Sequence, residues 1–222
     1  MNYKSIAEQI GPRTGATQEW VFRVLRQGIV SGELPGGTQL KQDEISSALN
    51  VSHIPVREAL RQLEAQGLVR IHPNRGASVT QLSRRTLLDM MEVRATLSVT
   101  ALRNSAPLLT EEDYRALDEV IAAQKRETDL YRTEELNYRF HELLSYHAEN
   151  SISDLLMEII HANIDRYLRK NFYGGVATRA RSIGEHEQIV AACRAGEYDR
   201  ACDLLRDHIL NAKDYIPSGL EP

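Results

Sequence analysis

The stretch from Val51 to Leu63 constrains this chain most, because one of its faces is apolar and the other is basic. Its apolar residues recur at the spacing of one helix face: Val56, Ala59, Leu60 and Leu63. Ser52 precedes them as an N-cap, and Pro55 fits a first turn. The other face presents His53, Ile54, Arg57, Glu58 and Arg61. Such a helix suits a DNA major groove, and a plain solvated surface helix is the alternative.

The residues before this helix favour the DNA-binding interpretation. Apolar residues at helical spacing predict a helix that begins at Thr17 and ends at Gly32. Residues 42–49 predict a second, shorter helix, and Asn50 provides the turn into the helix described above. Two short helices joined by a tight turn are a helix-turn-helix. Residues 1–16, which contain two glycines and a proline, are predicted to be a flexible arm.

The residues after this helix predict a wing. Two β-prone runs, 68–72 and 77–80, flank a turn that contains Pro73 and Gly76. Arg75 at the tip, beside the small Gly76, is placed to reach phosphate or the minor groove. A plain surface hairpin is the alternative. The sequence therefore predicts a winged helix-turn-helix DNA-binding domain over residues 17–80.

Charge and composition fit a DNA-binding head on a larger, acidic body. The net charge is −4, but residues 1–80 hold nine Lys and Arg against seven Asp and Glu. No apolar run approaches the roughly 18 residues that a membrane helix needs, so we expect no membrane partner. Two cysteines, Cys193 and Cys202, do not make a disulfide framework, which favours a cytoplasmic location.

Residues 83–216 are predicted to form an all-α helical bundle, which makes the fold mostly α. Six helices are predicted, at 83–104, 111–128, 133–148, 152–170, 179–195 and 199–214, with breaks at Pro107, near Asp129-Leu130, at Asn150, at Gly174-Gly175 and at Gly196. A bundle of this length can bury its own core. The tail, residues 217–222, is predicted to be disordered.

Several histidines fall on the apolar faces of these helices. His141, His186 and His208 lie on three different helices, and Asn137 is one turn before His141. Three imidazoles and an amide oxygen match the ligand preferences of Zn²⁺ or Ni²⁺. Each of these histidines is alternatively a hydrogen-bonded core residue. His147 competes on the same grounds, whereas His161 is expected to point outward.

Arg94 is the other polar residue on an inward face, with Ser98 one turn on and Asn163 in a similar position on another helix. A buried guanidinium is costly unless it meets an anion. A metal beside Arg94 predicts a site for a small carboxylate effector, with Ser98 and Asn163 as further contacts. An internal salt bridge from Arg94 is the alternative.

Together these features resemble the GntR family of bacterial transcription regulators, in the FadR-like branch with an FCD ligand-binding domain. The resemblance covers residues 17–214 and rests on the run Pro55-Val56-Arg57-Glu58-Ala59-Leu60, on Arg75-Gly76, and on Arg94, Asn137, Phe140-His141, Asn150, Glu185-His186 and His208. It implies a homodimer that binds operator DNA through Arg57, Arg75 and Gly76. It also implies a bundle that binds a small organic acid near a metal.

This chain departs from that family at two kinds of position. His53 and Ile54 stand where the family often has arginine and threonine, so the preferred operator is expected to differ. Asn137 stands where the metal site usually has aspartate, which predicts weaker metal binding. Ser98 also stands where glutamate is common.

The sequence thus predicts a metabolite-responsive transcriptional repressor rather than an enzyme. A metal-dependent hydrolase or lyase that uses the histidines is one alternative, and a non-catalytic helical adaptor is another. Against the enzyme, no H-E-x-x-H motif is present, and Glu185 and Glu187 are expected to point away from His186.

Overall fold

Two separate apolar cores divide the chain into two units. The computed structural model describes residues 2–73, 76–148, 151–168 and 176–216. The first unit comprises Met1–Ser83 together with His161–Arg166, and the second comprises Arg84–Ile160 and Tyr167–Pro222. The predicted tail, 217–222, lies outside the described residues. No helix in the described ranges combines the length and the apolar character needed to cross a bilayer.

The first unit is a small helical domain with a three-stranded sheet. Its elements are α1 (Tyr3–Ile10), α2 (Thr17–Ser31), β1 (Gln39–Leu40), α3 (Gln42–Leu49), α4 (His53–Ala65), β2 (Val69–His72) and β3 (Gly76–Val79). The strands are antiparallel in the order β1-β3-β2, with Arg70 opposite Ser78 and Leu40 opposite Ala77. The sheet therefore contains the predicted hairpin, and β1 extends it by a third strand.

The turn between α3 and α4 depends on Asn50. This residue adopts the left-handed conformation at φ 51°, which asparagine tolerates better than most side chains. The N–H of Val51 then donates to the carbonyl of Ser46 at 3.1 Å and closes the end of α3. The four apolar residues of α4 are at most 1% exposed, so its apolar face is buried as predicted.

The N-terminal residues differ from the predicted flexible arm. Tyr3–Ile10 form helix α1, and Tyr3 and Ile6 are buried in the core of the first unit. Trp20 Nε1 donates to the carbonyl of Gly11 at 3.1 Å, which ties the following loop to α2. A Cβ at Gly28 would lie 2.7 Å from Ile6 Cδ1, so α1 packs closely over this glycine.

The second unit is all-helical. Its helices are α5 (Arg84–Ser105), α6 (Glu111–Arg126), α7 (Leu130–Leu144), α8 (Ser151–Leu168, of which His161–Arg166 belong to the first unit), α9 (Val176–Arg194) and α10 (Tyr198–Asn211), with short 3-10 turns at Ala106–Leu108 and Ala212–Tyr215. Each begins and ends within about one turn of its predicted bounds. The predicted mostly helical fold is confirmed, whereas the predicted breaks at Asn150 and at residues 174–175 lie outside the described residues.

Helix ends in this unit have identifiable causes. Thr110 Oγ1 accepts from the N–H of Asp113 at 3.3 Å, and Asp113 Oδ2 accepts from the N–H of Thr110 at 2.8 Å, which is a capping box at the start of α6.

The helices of this unit share one core. α10 packs against α5 and α9, and α6 packs against α7 and α9. These contacts bring the inward faces of α7, α9 and α10 into one core, where Cys193 and Cys202 are buried and free.

Candidate functional site

The exposed face of α4 carries the side chains that were predicted to contact DNA. His53, Ile54, Arg57 and Arg61 are all exposed, and Ile54 is 65% exposed despite being apolar. Ser52 occupies the N-cap position but makes no side-chain capping bond, contrary to the predicted capping role. The first N–H groups of α4 therefore keep their hydrogen-bonding capacity for an external acceptor such as phosphate.

Acidic neighbours hold the basic side chains of this face in place. Glu58 Oε1 lies 3.5 Å from Arg57 Nε and 3.3 Å from Arg61 Nη1. His53 Nδ1 lies 3.4 Å from Asp43 Oδ1 on α3. All three pairs are solvent-accessible, and exposed pairs of this kind are worth at most about 1 kcal/mol each. A phosphate or base edge can therefore replace these partners at little cost.

The wing borders the same face, although its tip is only partly described. Arg75 lies outside the described residues, so its predicted DNA contact has no structural description. Gly76 has φ 81°, and a Cβ at this position would lie 3.1 Å from the carbonyl oxygen of Leu40. Glycine is thus required here for the close pairing of β3 with β1, independently of any DNA contact. Lys41, Arg57, Arg61 and His72 line an open groove between α4 and the wing.

The second candidate site is a cluster of three histidines inside the helical unit. His141 on α7, His186 on α9 and His208 on α10 bring one ring nitrogen each to within 4.8 Å of one another. His186 Nε2 lies 3.2 Å from His208 Nε2. Phe140 stacks on the His186 ring at 3.8 Å and seals one side of the cluster. The predicted convergence of three imidazoles from three helices is present in the structure.

Two side chains behind the cluster contact the remaining ring nitrogens. Gln124 Oε1 lies 2.9 Å from His186 Nδ1, and Glu185 Oε2 lies 2.8 Å from His208 Nδ1. Glu185 was expected to point away from His186. In the structure it contacts a different histidine of the cluster, His208 on α10. Glu187 does point elsewhere, since it pairs with Lys125 at 2.6 Å. Arg181, one turn before Glu185 on α9, pairs with the other oxygen of this carboxylate, with its Nε 3.0 Å from Glu185 Oε1.

Burial sets the protonation of the cluster. It lowers the pKa of His186 well below its ordinary value, and the charge of His208 lowers it further. Burial also lowers the pKa of His208, although the hydrogen bond to Glu185 opposes part of that shift. For Glu185, burial favours a higher pKa, but His208 and Arg181 outweigh it and the net pKa is lowered. The structure therefore favours neutral rings for His186 and His208 beside the ionised carboxylate of Glu185.

Asn137 and Arg94 are both buried near this cluster. Asn137 lines a small cavity together with Gln124 and His186. Arg94 is 7% exposed, and its Nε has no hydrogen-bond partner among the described residues. Its positive charge contributes to the lowered pKa of His208. A buried guanidinium N–H without an acceptor is the feature expected of an anion site.

The other predicted effector residues have different surroundings. Ser98 Oγ lies 4.0 Å from Met157 Sδ within the helical unit. Asn163 belongs to the first unit, where its Nδ2 donates to the carbonyl of Gln66 at 2.9 Å, so the structure does not group it with Arg94.

His147 and His161, the two other histidines of the predicted bundle helices, lie outside the cluster. His147 Nε2 lies 3.0 Å from Asp113 Oδ2, and its backbone N–H donates to Ser105 Oγ at 3.2 Å. It therefore pins the residues after α7 to the start of α6, which is a structural role. His161 is buried rather than directed outward as expected, and it belongs to the first unit.

A helix-turn-helix with a basic face and a wing, joined to an all-helical domain, defines a DNA-binding transcriptional regulator. Comparison with known families agrees: residues 17–79 match "Bacterial regulatory proteins, gntR family", and residues 89–211 match the FCD domain. The chain belongs to the GntR family, in its FCD-containing branch. The predicted resemblance is confirmed, and the matched proteins are DNA-binding regulators rather than enzymes.

Three similar proteins span nearly the same domains. The "HTH-type transcriptional repressor RspR" of Escherichia coli K12 is 27% identical over 217 residues, which are 96% of this chain and 93% of RspR. The regulator BphR of Paraburkholderia xenovorans is 30% identical over 204 residues, 86% of this chain and 81% of BphR. A GntR-family crystal structure from Pseudomonas syringae is 30% identical, covers 96% of this chain and 91% of its own, and has a TM-score of 0.55.

Proposed function

We propose that this regulator is a homodimeric repressor whose affinity for its operator is controlled by a small carboxylate bound beside a divalent metal ion. The histidine cluster is the observation that carries the proposal, because it gathers three ring nitrogens within 4.8 Å of one another in a buried site. The similar protein RspR is a transcriptional repressor, which supports repression as the sign of the regulation.

The spacing of the ring nitrogens supports a metal ion. Two nitrogen ligands about 2.05 Å from a tetrahedral ion lie about 3.3 Å apart, and the two Nε2 atoms of His186 and His208 lie 3.2 Å apart. Neutral imidazole is the form that binds a metal, and burial favours that form for both rings. His141, His186 and His208 would hold Zn²⁺ or Ni²⁺, with the amide oxygen of Asn137 as a weaker fourth donor.

The charge of this donor set supports an anionic effector. Three imidazoles and an amide are all neutral, so the donor atoms themselves do not offset the charge of a divalent ion. Arg94 adds a second buried positive charge. Its Nε has no hydrogen-bond acceptor among the described residues. A small carboxylate can bind the ion with one oxygen and accept from the guanidinium with the other. The effector would thereby contact both positive charges and offset part of them.

In the proposed dimer, α4 of each protomer enters a major groove and reads one half-site. Half-sites in such dimers lie about one helical turn apart. An effector changes operator affinity only if it binds one conformation more tightly, and coupling energies of about 1–3 kcal/mol are typical, which is about 5- to 150-fold.

The test measures operator binding by fluorescence anisotropy, with a duplex selected from random sequence by the purified protein. We expect one member of a panel of short mono-, di- and tricarboxylates to weaken binding about 5- to 150-fold, and only when Zn²⁺ is present. Arg94→Gln should bind the same duplex but lose this response, whereas Arg57→Ala should lose the duplex under all conditions. Protein without metal by elemental analysis, and without measurable Zn²⁺ or Ni²⁺ binding, would overturn the metal part of the proposal.

A further inference from the structure

Glu185 contacts the histidine cluster on its outer side, at a ring nitrogen that faces away from the centre of the cluster. Its Oε2 lies 2.8 Å from His208 Nδ1, on the opposite side of the ring from Nε2. Its other oxygen, Oε1, lies 3.0 Å from Arg181 Nε and accepts from Asn211 Nδ2 at 3.4 Å. The carboxylate is thus held by partners from both α9 and α10, and its position is well determined.

The chemistry of a carboxylate fixes the proton on His208. An ionised carboxylate has no hydrogen to donate, so the contact requires the proton to be on Nδ1. The lone pair of a neutral ring then lies on Nε2, which faces His186 at 3.2 Å. Glu185 therefore prepares His208 as an acceptor toward the centre of the cluster.

Gln124 does not impose the same restriction on His186. A side-chain amide can present either its oxygen or its NH₂ group after a half-turn, so it can accept from Nδ1–H or donate to a bare Nδ1. Without an ion, His186 can carry its proton on Nε2 and donate it to His208 Nε2. With an ion bound, the proton would lie on Nδ1, and this N–H would donate to Gln124 Oε1. The ring is neutral with one proton in both states.

Glu185 also compensates for the neutral residue at position 137. Aspartate among the ligands would place a negative charge directly on the ion, and Asn137 does not. Glu185 instead places a negative charge on the far side of the His208 ring from the proposed ion. Carboxylates that accept from a ligating histidine raise its basicity and fix its orientation.

We propose that Glu185 is a positioning residue for metal binding: it holds His208 in the Nδ1–H form and supplies the negative charge that Asn137 withholds. This inference rests on the metal site of the proposed function.

The test compares Glu185→Gln with Glu187→Gln in the full-length protein. Both variants remove one carboxylate from α9, but Glu187 contacts Lys125 and no ring of the cluster. Zn²⁺ affinity is measured by competition with a chromophoric chelator. We expect Glu185→Gln to bind Zn²⁺ about 10- to 100-fold more weakly and Glu187→Gln to match the wild type. Wild-type affinity in Glu185→Gln would overturn the inference and leave the metal site intact. Absence of Zn²⁺ binding in the wild type would overturn the proposed metal site itself.

A second measurement needs no metal, and its deciding result comes from the wild-type protein. Ring ¹⁵N chemical shifts of metal-free wild-type protein, labelled at histidine, report which nitrogen carries the proton. We expect His208 as the Nδ1–H form and, in Glu185→Gln, a mixture of forms, because the new amide can donate as well as accept. Finding His208 of the wild type as the Nε2–H form would overturn the inference.

Discussion

At the scale of single residues, the exposed face of α4, which we propose contacts DNA, combines charge with one exposed apolar side chain. Arg57 and Arg61 supply positive charge that suits phosphate and guanine, whereas Ile54, at 65% exposure, has no polar group to offer. The one feature of a base edge that attracts such a side chain in the major groove is the methyl group of thymine. Ile54 is therefore expected to select thymine in each half-site.

This selection can be measured by replacing the thymines of a selected operator with deoxyuridine, one at a time. At one position per half-site we expect the wild type to lose about fourfold in affinity, since burying one methyl is worth about 0.8 kcal/mol. Ile54→Ala should bind more weakly and should be insensitive at that position. Equal sensitivity of both proteins at every position would show that Ile54 does not contact a thymine methyl.

At the scale of elements, the start of α6 is fastened by one carboxylate. The hydrogen bond from His147, followed by that from the Thr110 backbone, lowers the pKa of Asp113 to about 2, from an ordinary value of 3.8. A lowered pKa in the folded state means that the ionised form stabilises the fold. This contribution is complete above the ordinary pKa and is lost as the pH falls toward 2.

We expect Asp113→Asn to destabilise the helical unit by about 1 kcal/mol near neutral pH, because it weakens both the cap and the contact to His147. The difference from the wild type should shrink as the pH falls from about 5 to about 2, where the wild-type carboxylate becomes protonated. Thermal unfolding followed by circular dichroism measures both effects. Glu119→Gln, on an exposed position of the same helix, is the control, and a pH-independent difference would contradict the explanation.

At the scale of the whole molecule, each unit has its own core and its own probe. The single tryptophan, Trp20, lies in the first unit, whereas the histidine cluster lies in the second. Metal binding to the folded state stabilises it by about 2.7 kcal/mol when free metal is a hundredfold above its dissociation constant. We expect Zn²⁺ to raise the unfolding midpoint seen by circular dichroism more than the midpoint seen by Trp20 fluorescence. His208→Ala should show no such shift, and a wild type that does not respond would contradict metal binding by the cluster.

Local patterns in the sequence predicted most of the fold and part of the candidate site. Helical periodicity was sufficient for α2 through α10, because each buries a stripe of apolar residues. The same signal was present in α1, where Tyr3, Ile6 and Ile10 share one face, but nearby glycines suggested a loop. The contact of Glu185 with His208 was not predictable, since it depends on how α9 packs against α10. The bond from Asn163 to Gln66 likewise joins residues 97 positions apart.

The close packing of Ile6 over Gly28 has a practical consequence for anyone who shortens this protein. The family match begins at residue 17, yet α1 lies before that position and covers the glycine of α2. A chain that begins at residue 17 would lack Ile6 and would expose the apolar surface around Gly28 and Leu34. Gly28 would still lower the stability of α2, but it would no longer allow the close packing of α1. The smallest stable DNA-binding fragment should therefore include α1 and not begin at residue 17, where the family match begins.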